Sequence, residues 1–129
     1  MILVDASVWI AHLRGHRTEA TAKLEAAAMR EPLLIGDLIL LEVLQGARNE
    51  AHALRIERGL RSYAVGQLLD AEVAPHAPRN TRKLRELGIT IRKTADLIIG
   101  TFCIEHRHSL LHDDRDFAPM EQHLGLKVV

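Results

Sequence analysis

The sequence has little of several features that common protein classes require. It contains one cysteine, Cys103, so the chain forms neither an internal disulfide nor a Cys-x-x-Cys zinc or redox pair. Aromatic residues make up 3% of the chain, too few for the stacking platforms of many single-strand nucleic-acid binders. No apolar run approaches the roughly 18 residues of a membrane span. We therefore expect a protein that is not attached to a membrane.

Charge of one sign is also lacking, because 17 Lys and Arg residues balance 17 Asp and Glu residues. Attraction to a charged partner must then come from local patches. The hydrophobic fraction of 47% and the charged fraction of 26% are typical of a globular protein. A length of 129 residues predicts one domain over residues 1–129. The unpaired cysteine and the absence of a basic-then-apolar leader predict a cytoplasmic location.

Short apolar runs alternate with helical patterns along the chain. The apolar runs predict strands at residues 2–4, 33–35, 64–66, 109–112 and 126–129. Helices are predicted between them, with Ser7, Asp37 and Thr94 as N-caps. Pro75 and Pro78 interrupt the helical pattern of residues 70–87, which predicts a kink or two short helices. The alternation predicts a three-layer α/β/α sandwich with a central, mostly parallel sheet.

Acidic residues stand at four distinctive places in this pattern. Asp5 follows the first strand, Glu42 lies in an apolar helix, Asp96 lies in a first helical turn, and residues 113–116 (DDRD) follow a late strand. Three of the four have ordinary structural explanations: aspartate is common in turns, an anion is favoured near a helix N-terminus, and an acidic run can be a solvated turn.

Glu42 is harder to explain structurally. Apolar residues surround it on every side of the predicted helix, namely Leu38, Ile39, Leu41, Val43 and Leu44. Burying an unpaired carboxylate costs several kcal/mol or forces its protonation. We therefore expect a bound cation near Glu42, or an arginine partner.

The predicted topology brings these acids to one edge of the sheet. Asp5 and residues 113–116 leave the carboxyl ends of their strands, and the helices of Glu42 and Asp96 begin at the same edge. Converging carboxylates raise one another's pKa unless a dication compensates their charge. Oxygen ligands favour Mg²⁺ or Mn²⁺ over zinc, and such an ion can assist phosphodiester hydrolysis.

A basic stretch precedes Asp96, with only Glu86 opposing it. Its members are Arg79, Arg82, Lys83, Arg85, Arg92 and Lys93. Such a patch can hold phosphates beside a metal site, although a solvated helix face is an equally good interpretation.

The acidic blocks carry a family resemblance. Residues 5–10 (DASVWI) resemble the opening of PIN-domain nucleases, in particular the VapC-type toxins of bacterial toxin–antitoxin pairs. Glu42, residues 88–99 and residues 110–117 (LLHDDRDF) then match the family's pattern in order. The resemblance thus covers nearly the whole chain.

This resemblance implies a PIN fold and a set of site residues. It implies that one or two Mg²⁺ or Mn²⁺ ions are held by Asp5, Glu42, Asp96 and Asp114. Asp116 is implied as an accessory acid, and Ser7 as a hydroxyl that orients a carboxylate or water. Which of Asp113, Asp114 and Asp116 supplies the fourth ligand remains open.

The implied activity is endonucleolytic hydrolysis of RNA, leaving a 5′-phosphate and a 3′-hydroxyl. The implied partners are a VapB-like antitoxin that blocks the site and a second copy of the chain. The alternative is a catalytically weak PIN domain that acts as a protein- or RNA-binding module, against which the presence of all four acids argues. Haloacid-dehalogenase phosphatases need an aspartate where Ser7 stands, and phospho-receiver domains need an acidic neighbour for Asp5.

Overall fold

Four short parallel strands form the centre of the structure, a computed structural model that describes residues 1–129. The sheet order is β3-β2-β1-β4, with β1 at Ile2–Val4, β2 at Leu33–Gly36, β3 at Ala64–Gly66 and β4 at Ser109–Leu111. Every pairing in the sheet is parallel. The predicted fold class, an α/β/α sandwich around a parallel sheet, is confirmed.

Seven α-helices flank the sheet. They are α1 Ala6–Leu13, α2 Glu19–Ala28, α3 Asp37–Gln45, α4 Glu50–Leu60, α5 Val73–Glu86, α6 Thr94–His106 and α7 Ala118–His123. A single 3₁₀ turn, Arg115–Phe117, leads into α7. None of these helices has the length and apolar character needed to cross a membrane.

Strand β1 lies between β2 and β4 and is covered on both faces. Its Leu3 and Val4 are fully buried, as are Leu110 and Leu111 of β4. Strands buried on both faces have continuous apolar runs, which is why the sequence pattern located them. Each such side chain stabilises the fold by roughly 1.5–3 kcal/mol. The core therefore fixes the carboxyl end of β1 beside that of β4.

Helix α5 runs unbroken through both prolines, so the predicted alternative of two short helices is wrong. Pro75 lies in the first turn, where a backbone N–H has no partner within the helix. Pro78 leaves the carbonyl of Ala74 without its helical donor, but Ala74 and Pro78 are both exposed to solvent. Water can therefore satisfy that carbonyl.

Three helix starts differ from the prediction by a residue or two. The N-caps are Asp5, Gly36 and Lys93, rather than Ser7, Asp37 and Thr94. The N-cap is the residue whose backbone is still extended just before the helix, and the sequence does not show which of two or three adjacent residues has that conformation. The N-cap at Asp5 matters most for the site, because the Asp5 carboxylate then accepts a hydrogen bond from the backbone N–H of Ser7.

The predicted strand at residues 126–129 is also wrong. Only an isolated parallel bridge joins Leu110 to Val128. Gly125 adopts a positive φ of 77°, and the chain meets the edge of β4 only after this turn. The contact is limited to two backbone hydrogen bonds, from the N–H of Leu110 to the carbonyl of Lys127 at 2.9 Å and from the N–H of Val129 to the carbonyl of Leu110 at 3.0 Å.

Candidate metal centre

Asp5 is fixed at the carboxyl end of β1 by both its backbone and its side chain. Its backbone N–H donates to the carbonyl of Leu111 at 2.9 Å, which continues the β1–β4 pairing by one residue. As the N-cap of α1, its Oδ2 accepts from the backbone N–H of Ser7 at 3.1 Å and from Ser7 Oγ at 2.6 Å. The side chain is only 5% exposed.

The Ser7 hydroxyl connects two parts of the site. While it donates to Asp5, it also accepts from the backbone N–H of Asp113 at 3.1 Å. The loop after β4 is thereby tied to the carboxylate after β1. Of the two roles that the resemblance implies for Ser7, the hydrogen bonds match the orientation of a carboxylate.

Asp114 and Asp116 lie in the turn after β4. Asp114 Oδ1 accepts from the backbone N–H of Asp116 at 2.9 Å, so this carboxylate also has a fixed orientation. Carboxylate oxygens of Asp96, Asp114 and Asp116 all lie within 4.8 Å of one another. Asp113 is exposed and does not belong to this group. These three acids form a group that could bind a metal ion.

Asp96, in the first turn of α6, carries the strongest sign of a missing partner. The residue is 7% exposed, and its buried Oδ2 has no hydrogen-bond partner. Burial and the charge of Asp5 raise the pKa of Asp96 to about 6, and Asp114 and Glu42 add to this shift. A buried carboxylate oxygen without a partner is costly, and a dication would compensate it.

Glu42 lies within electrostatic reach of Asp5, but its surroundings differ from the expectation. Helix α3 buries only Ile39 and Val43, and Leu41 is 51% exposed, so the predicted apolar enclosure is wrong. Glu42 is half-buried, and no arginine pairs with it. Burial and the charge of Asp5 raise the pKa of Glu42, while Lys93 opposes the shift.

One open cavity of about 570 Å³ collects these side chains. Its lining includes the four predicted metal ligands Asp5, Glu42, Asp96 and Asp114, together with Ser7. Asp116 lies beside it, next to Asp114. Oxygen-only donors with this excess of negative charge fit Mg²⁺ or Mn²⁺.

Sequence reasoning missed the role of Lys93, which it counted only as part of a basic stretch. Lys93 is the one basic residue that lines the cavity. Its Nζ lies 3.6 Å from Asp114 Oδ2 and 3.8 Å from Asp116 Oδ2, and the charges of Asp114 and Asp96 raise its pKa. The available signal was its position directly before α6, one turn from Asp96.

Four arginines line two cavities near the acids. Arg82 and Arg85 of α5 line a cavity that includes Thr94, a residue that also lines the acidic cavity. Arg92 and Arg115 line a second cavity, of about 350 Å³, that includes Asp116. None of these four guanidinium groups has a carboxylate within 4.0 Å. All four are therefore free to contact a polyanion.

Cys103 lies within electrostatic reach of Asp5 but has no nucleophilic character. Burial, followed by the charge of Asp5, raises the pKa of its thiol to about 12. A thiol in that state is not the nucleophile of a reaction near neutral pH.

Comparison with known protein families identifies the family of the chain. The family model described as "PIN domain" matches residues 2–121. The chain belongs to the PIN-domain family.

Solved structures with the same PIN fold include several toxin–antitoxin proteins. VapBC2 from Rickettsia felis, solved bound to a DNA fragment from its promoter, has a TM-score of 0.80 at 16% identity, covering 100% of this chain and 98% of that chain. A toxin–antitoxin complex from Klebsiella pneumoniae has a TM-score of 0.75 at 24% identity, with coverage of 100% and 96%. VapC20 from Mycobacterium tuberculosis, a sarcin-ricin loop cleaving toxin, has a TM-score of 0.68 at 15% identity, with coverage of 92% and 93%.

Proposed function

We propose that this PIN-domain protein is a Mg²⁺-dependent endoribonuclease and the toxin of a toxin–antitoxin pair. The observation that carries the proposal is the buried, unpartnered Oδ2 of Asp96 in a cavity shared with Asp5, Glu42 and Asp114. Mn²⁺ is an acceptable substitute, because it has the same preference for oxygen ligands.

Each side chain has a proposed role. Asp5, Glu42, Asp96 and Asp114 hold the metal, Asp116 is an accessory acid, and Ser7 holds the Asp5 carboxylate in place. When bound, Mg²⁺ supplies stabilisation of negative charge on a phosphate and a water acidic enough to attack near neutral pH. The hydrogen bonds from Ser7 to Asp5 and from Asp116 to Asp114 hold two of these carboxylates in fixed orientations before any ion binds.

RNA is the proposed substrate. The unpaired guanidinium groups of Arg82 and Arg85, and those of Arg92 and Arg115, line cavities adjoining the acids, where they can contact phosphates on either side of a scissile bond. Because the chain has few aromatic residues, its contacts to the sugar-phosphate backbone of RNA must outweigh any stacking on the bases. The description of the VapC20 relative as a sarcin-ricin loop cleaving toxin supports this choice of polymer.

The proposed partners are a VapB-like antitoxin and a second copy of the chain, in the cytoplasm. Support comes from relatives of the same fold that were solved as VapBC or other toxin–antitoxin complexes. Expression of the chain alone should arrest growth, and co-expression of a small neighbouring gene should relieve the arrest. Unimpaired growth at good expression would remove the toxin role and leave the nuclease activity to be judged separately.

A cleavage assay on total RNA tests the nuclease. We expect cleavage with Mg²⁺, none with chelator, and a loss of at least about 100-fold in Asp96→Asn, because the variant lacks a charged metal ligand. Glu25→Gln is the matched control: Glu25 is an exposed acid of α2 with no ion pair, and its loss should leave the rate unchanged. Cleavage that persists in chelator, or full activity of Asp96→Asn, contradicts the proposal.

A further inference from the structure

The acidic group of the PIN domain already contains one positive charge of its own. Lys93 Nζ lies between two carboxylates, 3.6 Å from Asp114 Oδ2 and 3.8 Å from Asp116 Oδ2. Lys93 is the N-cap of α6 and has an extended backbone (φ −109°, ψ 119°), so the start of that helix fixes the position of its backbone.

The five acids Asp5, Glu42, Asp96, Asp114 and Asp116 therefore form two parts, which differ in whether a positive charge compensates them. The part formed by Asp114 and Asp116 is compensated by the ammonium group. The other part contains the buried Oδ2 of Asp96, which has no partner, together with Asp5 and Glu42 in the same cavity. Only this second part lacks a cation, and Asp114 borders both.

We propose that Lys93 is a positioning residue that takes the place of a second divalent ion, so that the chain binds one metal ion rather than two. The proposal rests on the metal site of the proposed function. Two-metal sites hold their ions about 3.5–4 Å apart, so an ion beside one bound at Asp96 would have to lie at Asp114 and Asp116, where the ammonium group already is. A second dication at Asp114 and Asp116 would have to displace this ammonium or lie against it, and repulsion between like charges at such distances lowers affinity by at least about tenfold.

Direct titration of the full chain with Mn²⁺ tests this inference. Calorimetry and the electron paramagnetic resonance of free Mn²⁺ both count bound ions, whether or not RNA is cleaved. We expect one ion per chain in the wild type and in Lys93→Arg, which keeps the charge. Lys93→Met should bind a second ion, and its first ion about tenfold more tightly, because the acids lose their internal counter-ion.

Lys83→Met is the matched control, because Lys83 is an exposed lysine of α5 with no carboxylate within 4.0 Å. It should bind Mn²⁺ as the wild type does. Two ions bound to the wild type, or one ion bound with unchanged affinity in Lys93→Met, overturns the inference. Circular dichroism of Lys93→Met and Lys93→Arg checks that both variants fold.

The outcomes separate this inference from the proposed function. A wild type that cleaves RNA and binds two ions removes only the inference about Lys93. A wild type that binds one ion and cleaves no RNA removes the nuclease proposal but leaves the ion count as inferred. A wild type that binds no Mn²⁺ refutes both.

Discussion

The hydroxyl of Ser7 lies 2.6 Å from Asp5 Oδ2 and accepts a 3.1 Å hydrogen bond from the backbone N–H of Asp113. One small side chain thus links the residue after β1 to the loop after β4. In Ser7→Ala, Asp5 keeps the backbone N–H of Ser7 as its capping donor but loses the hydroxyl.

We therefore expect Ser7→Ala to lower the rate of RNA cleavage about tenfold, with a loss of about 1 kcal/mol in the free energy of unfolding. Cleavage rates and urea unfolding measure the two effects. Ser7→Thr keeps a hydroxyl and should retain most of the activity, and Ser62→Ala, at an exposed position, should change neither quantity. A Ser7→Ala variant as fast as the wild type would show that the hydroxyl does not orient Asp5.

Asp96 makes the stability of the metal-free protein depend on pH. Its pKa is about 6 in the folded chain against an ordinary value of 3.8, so the folded state binds this proton more tightly than the unfolded state. The resulting stabilisation is complete below about pH 3.8 and is lost as the pH rises through about 6. With chelator present, lowering the pH from 7 to 4.5 should thus favour the folded wild type.

The measurement is the difference in unfolding free energy between the wild type and Asp96→Asn. We expect this difference to shift by about 2 kcal/mol in favour of the wild type between pH 7 and pH 4.5. Taking the difference removes the contributions of titrating groups that do not interact with Asp96. A difference that stays constant across this range would show that Asp96 ionises normally.

The strands and the convergence of the acids could be predicted because both follow from periodicity and topology. Residues Ile2–Val4 of β1, and Leu110 and Leu111 of β4, are apolar because both sheet faces are covered, and parallel strands end at one edge. Asp5 and Asp114 are neighbours for that reason alone.

Other features depend on contacts that sequence patterns do not encode. Whether Pro78 breaks a helix depends on whether the carbonyl one turn earlier faces water. The exposure of Leu41 depends on which face of α3 meets the sheet, and the position of Lys93 Nζ depends on the direction of a long, flexible side chain. The ion pairs of Lys93 with Asp114 and Asp116 could therefore not be predicted from the sequence.

Gly100 permits the close approach of α6 and α7. A Cβ atom at this position would overlap Met120 Sδ, and Met120 is fully buried. Gly100→Ala should therefore cost about 1–3 kcal/mol in unfolding free energy, because the methionine must be displaced within a filled core.

Gly59→Ala provides the opposite expectation within the same chain. Gly59 lies in α4, and an added Cβ would meet no atom within 4 Å. Alanine should stabilise the helix by about 0.5 kcal/mol through its higher helix propensity. Thermal unfolding of both variants is the measurement, and equal effects of the two substitutions would contradict the packing argument.

Asp70 joins the start of α5 to the end of α6. Its Oδ1 accepts from the backbone N–H groups of Glu72 and Val73, each at 2.9 Å, and its Oδ2 lies 2.7 Å from His106 Nε2. Asp70→Ala should lower the unfolding free energy by about 1 kcal/mol, since it removes the acceptor of two backbone N–H groups at the start of α5. The rate of RNA cleavage should not change, because Asp70 does not line the acidic cavity.

His106→Gln separates the two contacts of Asp70, because it leaves the backbone hydrogen bonds in place. Its destabilisation, measured by urea unfolding, should be smaller than that of Asp70→Ala. If His106→Gln lowers the free energy of unfolding more than Asp70→Ala does, the contact with His106, and not the backbone hydrogen bonds, is the stabilising contact of Asp70.

The pairing of β4 with the centrally placed β1 has a consequence for folding. β1 and β4 are the first and last strands of the sheet in chain order, and most of the helices lie between them. Asp5 and Asp114 follow these two strands, so they become neighbours only after this long-range pairing has formed. The acidic cavity therefore cannot exist in a partly folded chain that has not yet paired β4 with β1.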